Sequence, residues 1–172
     1  MRWILLAAAL LVALVGLATL VGGVLPKNHV VTRTARLRRP PEDVWSVIAD
    51  FAAGPSWRRG LRAVERLPDR DGHAVWKKVD RRGQALPLEI VEEHPPRRMV
   101  ARIADDSLPF GGTWTYEVAP ASGGSMLTVT ERGVVRNPLF RFVARFLIGH
   151  TATIDGYLEA LSTRFGEPPD IS

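Results

Sequence analysis

The side chains best suited to proton chemistry in this sequence are its histidines, His29, His73, His94 and His150, and one carboxylate, Glu131, which strand alternation sets on an apolar face. An imidazole titrates near neutral pH and can serve as a general acid or base. No two histidines stand at a metal-binding His-x-x-x-His spacing and the chain has no cysteine, so neither a metal nor a cofactor is expected. No nucleophile elbow or phosphate-cradling glycine loop occurs. The glycine pairs at 111–112 and 123–124 fall where strands begin or turn. His150 shares helical spacing with Leu139, Val143, Phe146, Thr153 or Ile154, Tyr157 and Leu161. If that stripe faces a sheet, His150 points into the interior as a candidate acid or base; alternatively it satisfies a polar group in the interface or sits at its edge. Strand alternation sets Leu127, Val129 and Glu131 on one face and Thr128, Thr130 and Arg132 on the other. Glu131 is then a buried carboxylate, able to act as an acid or to hook a polar ligand group, unless the strand flares out of the core there. Neither residue belongs to a catalytic motif, and the pattern favours binding over catalysis. Trp76, Trp114, Tyr116, Thr128, Phe142, Phe146 and Tyr157, with His150, are the candidate lining for an apolar ligand, although core packing asks for aromatics at the same spacings.

The elements that must hold these side chains begin with an unusual one. From Trp3 to Leu25 there is no charged residue. As a helix the run spans roughly 34 Å at about 1.5 Å per residue, enough for a bilayer core of about 30 Å. Residues 1–26 therefore read as a transmembrane anchor. Ala18, Gly22 and Gly23 imitate a cleavage site, which keeps a removed signal segment as the alternative. Arg2 precedes the span while Lys27, Arg33, Arg36, Arg38 and Arg39 follow it, so the positive-inside tendency puts a single-pass protein in the cell membrane with its domain on the cytoplasmic side. The formal net charge of +5 suits anionic head groups. The basic pairs Arg38-Arg39, Arg81-Arg82 and Arg97-Arg98 are scattered over turns with no nucleic-acid motif beside them, so nucleic acid is not an expected partner. Nothing in the sequence fixes an oligomeric state.

Residues 27–166 form one predicted domain, and 167–172 a tail with little to fold around. His29 to Leu37 reads as a strand. Pro40 and Pro41 then start a helix whose acids, Glu42 and Asp43, suit its positive end, with Val44, Trp45, Val47, Ile48 and Phe51 on one apolar face. A short piece carries Trp57. Strands follow over 61–67, 73–80, 84–93, 98–104, 113–119 and 126–135, separated by turn chemistry such as PDRDG and SGGS. Asn137 and Pro138 open a helix predicted to run unbroken to about Phe165, about 42 Å long. Short turns between consecutive strands imply an antiparallel sheet with one face to cover, and the long helix is the available cover. The loops at 80–83, 105–112 and 133–138 should share the membrane end and bring Arg81, Arg82, Phe110, Arg136, Leu139 and Phe140 there.

This order, with PPEDVWSVIADFAAGPSW near its start and LPFGGTWTYEVAPASGGSMLTVTERGVV near its end, resembles the START-like or Bet v 1-like superfamily. More narrowly it resembles the polyketide cyclase/dehydrase-type SRPBCC proteins, over residues 28 to 166. The resemblance implies an α+β helix-grip fold: a seven-stranded antiparallel sheet wrapped around a long C-terminal helix, here preceded by one transmembrane helix. It implies binding of a hydrophobic small molecule or lipid between sheet and helix. The alternatives it leaves are a cyclase or dehydrase-type enzyme with an acid or base in the cavity, and a non-catalytic interaction module whose pocket is collapsed.

Overall fold

A computed structural model describes residues 1–149 and 151–172. The chain starts with helix α1 (Arg2–Val24), long and apolar enough by length and composition to cross a membrane. Its leucine and valine side chains project away from the rest of the protein, and only its end is held. Gly22 is buried there, and a Cβ on it would lie 1.8 Å from the Pro138 carbonyl oxygen, so no larger residue fits that approach.

Seven antiparallel strands form one sheet in the order β1-β7-β6-β5-β4-β3-β2. They are β1 (Asn28–Leu37), β2 (Leu61–Arg70), β3 (His73–Asp80), β4 (Ala85–His94), β5 (Arg98–Ile103), β6 (Phe110–Ala121) and β7 (Gly124–Val135). The turn between β2 and β3 is tight because Asp71 and Gly72 both take positive φ, 50° and 82°, as a two-residue hairpin requires. Between β1 and β2 lie α2 (Pro41–Ala49) and α3 (Gly54–Trp57). In α2, Pro41 and the acids Glu42 and Asp43 occupy the first turn, and Val44, Trp45 and Ile48 are buried. They join Leu37, Met99, Val118, Leu127, Ile154, Leu158 and Leu161 in one core between the sheet and the last helix.

The predicted single C-terminal helix is broken. Helix α4 (Pro138–Val143) runs into a π-helical turn (Ala144–Ile148), and a separate helix α5 (Ala152–Arg164) follows. The turn closes with the Gly149 amide donating to the Ala144 carbonyl at 3.0 Å, and Gly149 takes φ +80°, which no helix continues. Of the broken helix's pieces α5, about 20 Å long, lies over the core face of the sheet, beside α2. Helix α4 touches the sheet through Phe140, 6.0 Å from the Phe110 ring, and packs on the end of α1. There the buried Arg141 donates from Nη1 to the Leu25 carbonyl at 2.7 Å, satisfying a backbone group that the end of α1 leaves open.

The last residues also differ from expectation. Ser172 and Thr34 exchange backbone hydrogen bonds of 2.9 Å each, Arg36 donates to the Asp170 carbonyl at 3.0 Å, and Ile171 packs against the core. The tail thus covers the free edge of β1, where an open row of N–H and C=O groups would otherwise invite pairing with another chain.

Candidate functional site

Alternation along β3 turns Ala74, Trp76 and Lys78 toward the core side of the sheet, while β6 and β7 turn Trp114, Tyr116 and Val129 the same way. Helix α5 faces them with Ile154 and Tyr157. Between these walls lies a cavity of about 240 Å³, closed at one side by Leu86, Leu88 and Phe110 and at another by Arg58 and Leu61. A second cavity, of about 300 Å³, shares Leu86, Phe110, Trp114 and Thr153 with the first and reaches Phe140 and Ala144 at the α4 end of the molecule. The two form adjoining space with a mainly apolar lining, in the size range where small-molecule sites begin.

Polar groups enter this space at two places. In the second cavity, Glu131 accepts a hydrogen bond from Trp114 Nε1 at 2.9 Å, and its other oxygen lies 3.3 Å from His29 Nε2. The imidazole rests on Gly133, where a Cβ would come within 2.2 Å of the ring. Held in this way, Glu131 can accept a hydrogen bond or a proton from a group in the cavity. In the first cavity two of the polar groups are the cations Lys78 and Arg58. Lys78 is 8% exposed, with its ammonium 4.9 Å from the centre of the Phe51 ring. Burial holds its pKa well below the ordinary lysine value, and the nearby Arg58 charge adds to the effect. The Arg58 guanidinium lies 4.9 Å from the Tyr157 ring centre and 5.9 Å from that of Trp57. Burial raises the Tyr116 and Tyr157 hydroxyls above the usual phenol range, with Arg58 opposing the shift, so both stay protonated near neutral pH.

The residues named from sequence divide by place. Trp114, Tyr116 and Tyr157 meet at the first cavity, with the Tyr116 and Tyr157 rings 5.6 Å apart, and Glu131 lines the second. Trp76 lines neither cavity; it packs against the core, stacked on Phe51 at 5.6 Å with Arg66 over its ring. Thr128 faces away from the cavity, its hydroxyl 3.4 Å from that of Thr34, because Leu127 and Val129 take the inward positions. Phe142 and Phe146 pair with each other, 5.0 Å between ring centres, on the α4 side of the helix break, and Phe146 is 57% exposed. The break separates these two from Tyr157. His150, the candidate acid or base, lies outside the described residues. Arg58 and Lys78 were missed, although the phase of Lys78 with Trp76 along β3 was visible in the sequence.

A seven-stranded antiparallel sheet closed over a core cavity by a C-terminal helix defines a helix-grip domain of the START/Bet v 1-like class. Residues 28–166 match the family model described as polyketide cyclase / dehydrase and lipid transport, and the chain belongs to that family. No curated protein matches the sequence. In fold it is similar to a START superfamily protein from Mycobacterium smegmatis, at 18% identity and a TM-score of 0.62, covering 79% of this chain and 96% of that one. Norcoclaurine synthase from Thalictrum flavum is similar at 14% identity and a TM-score of 0.62, covering 81% and 87%. So is the di-domain ARO/CYC StfQ from the steffimycin biosynthetic pathway, at 12% identity and a TM-score of 0.62, covering 81% of this chain and 52% of that one.

Proposed function

We propose that this protein is a membrane-tethered domain that binds a hydrophobic small molecule or lipid in the space between its sheet and α5. The observation that carries the reading is the pair of adjoining cavities lined by Leu86, Phe110, Trp114 and Thr153. A collapsed interaction module would have filled them. Removing apolar ligand surface from water contributes roughly 25 cal/mol per Å², so an enclosed ligand needs few polar contacts. The tether is α1, and the basic residues that follow it support a cytoplasmic domain. Phe146 and Leu147, 57% and 73% exposed, lie in the segment whose helix α4 is fixed to the end of α1, a position suited to the bilayer surface.

The test is native mass spectrometry on the full-length chain after gentle detergent extraction. An adduct of lipid or small-molecule mass should accompany the wild type and be absent from Thr153→Trp. Thr153 borders both cavities yet is exposed on α5, so the larger ring fills the space without displacing the core. Wild-type protein that is always free of adduct and takes up no apolar probe would refute the reading.

A further inference from the structure

The binding reading leaves one feature of the first cavity unused: two cations that form no ion pair among the described residues. Lys78 projects from β3 into the space between sheet and α5, and burial removes its ammonium from bulk water. Among the described residues no carboxylate pairs with it and no hydrogen bond reaches it. Arg58 lines the same cavity, likewise with no ion pair among the described residues. Asp80 also borders the space, but its carboxylate already accepts from the Arg82 and Gln84 amides, each at 2.8 Å. Asp50, which with Lys78 and Arg58 borders a small void behind, caps the Ala53 amide at 3.0 Å.

A buried lysine alone could shed its proton and remain as a neutral amine. Arginine cannot, because its guanidinium stays charged at any pH a protein survives. The wall therefore keeps a positive charge at Arg58, and beside it lies Lys78, whose protonated form an anion would favour by offsetting the cost of burial and the Arg58 repulsion. A neutral apolar ligand would leave both effects uncorrected. Of the two adjoining cavities Arg58 and Lys78 line only the first, while the wall shared with the second, Leu86, Phe110, Trp114 and Thr153, is mainly apolar. Charge at one end and an apolar channel leading from it match an amphipathic anion.

We infer that Lys78 and Arg58 receive the anionic head of the bound molecule, a carboxylate or phosphate ester, and that its apolar body lies along Leu86, Phe110 and Trp114. This rests on the binding function proposed above. Decanoate, decyl phosphate and decanol serve as probes, titrated calorimetrically into the full-length protein in zwitterionic nanodiscs, with empty nanodiscs subtracted. A hydrogen-bonded charge pair is worth roughly 1.5–3 kcal/mol, so Lys78→Met should weaken an anionic probe about ten- to a hundredfold. Decanol should bind both proteins alike. Arg58→Gln provides a second variant, expected to act in the same direction, should Lys78→Met fold poorly. The anion that loses affinity identifies the head, carboxylate or phosphate. If decanol binds and both anions are indifferent to Lys78 and Arg58, the inference is wrong while the binding function stands. If no probe binds the wild type, the binding function fails and the inference with it.

Discussion

Replacing Lys78 with methionine should stabilise the ligand-free protein, and the gain should depend on pH in a direction the structure dictates. Methionine keeps the unbranched stem that packs beside Phe51 and Trp76 and deletes only the charge. Lost with it is the attraction between ammonium and Phe51 ring at 4.9 Å, worth roughly 0.5–2 kcal/mol. Removed as well are the burial of an unpaired charge and its repulsion from Arg58, costs of several kcal/mol for a buried ion before relaxation. The cavity beside the ammonium admits some relaxation, so a net gain of about 1–2 kcal/mol is expected. For a chain of this size that corresponds to roughly 2–8 °C in melting temperature. Because burial, and then Arg58, lower the folded-state pKa, the unfolded chain binds more protons than the folded one between that lowered value and about 10.4. Wild-type stability therefore rises with pH through this window, and the full penalty is present below it. The advantage of Lys78→Met should be greatest below the lowered pKa and fade as pH approaches about 10. Calorimetric melts of both proteins in the same detergent, from about pH 5 to about pH 10, read this directly. A variant less stable than wild type at the acid end, or an advantage that does not vary with pH, would refute the account of Lys78 as a charge under strain.

Two further predictions concern the junction of α1 with α4. Gly22→Ala places a methyl 1.8 Å from the Pro138 carbonyl oxygen, and Arg141→Leu deletes the donor to the Leu25 carbonyl. Each should loosen the junction at a cost of about 1–3 kcal/mol, seen as faster amide hydrogen exchange over residues 138–149 with the sheet unchanged; equal exchange in wild type and variants would show that the contact holds nothing. The chain has no cysteine, so Phe146→Cys offers a unique label site. A fluorophore there, in nanodiscs, should be quenched by brominated lipid, and quenching by aqueous iodide alone would place the π-helical turn away from the bilayer surface.

The strands were legible chiefly because turn chemistry bounds them: β3 runs from His73 to Asp80 as its sequence suggested. The opening helix was equally clear, since two prolines and two acids mark its start and Val44, Trp45 and Ile48 bury one face, with Phe51 buried just beyond its end. The broken C-terminal helix was not. A lone glycine such as Gly149 costs a helix only about 1 kcal/mol, so local pattern reading passes over it. What holds α4 in its different course is the contact with Gly22 and Arg141's bond to Leu25, far away in sequence and invisible to periodicity. The tail was misread for the same reason, because its partner is the edge of β1. For the candidate site, Lys77 and Lys78 are the instructive pair. Two adjacent lysines in a strand look like a solvated stretch, yet the pleat sends neighbouring side chains to opposite faces, so one of them must point inward. Lys77 finds Glu65 across the strand pair, 2.5 Å away, and settles on the outer face. The phase set by Ala74 and Trp76 commits Lys78 to the other side, where it meets an aromatic ring and a second cation and forms no ion pair among the described residues. That mismatch between a strand's alternation and its chemistry is what the sequence showed without its meaning being legible, and a ligand carrying the missing charge would resolve it.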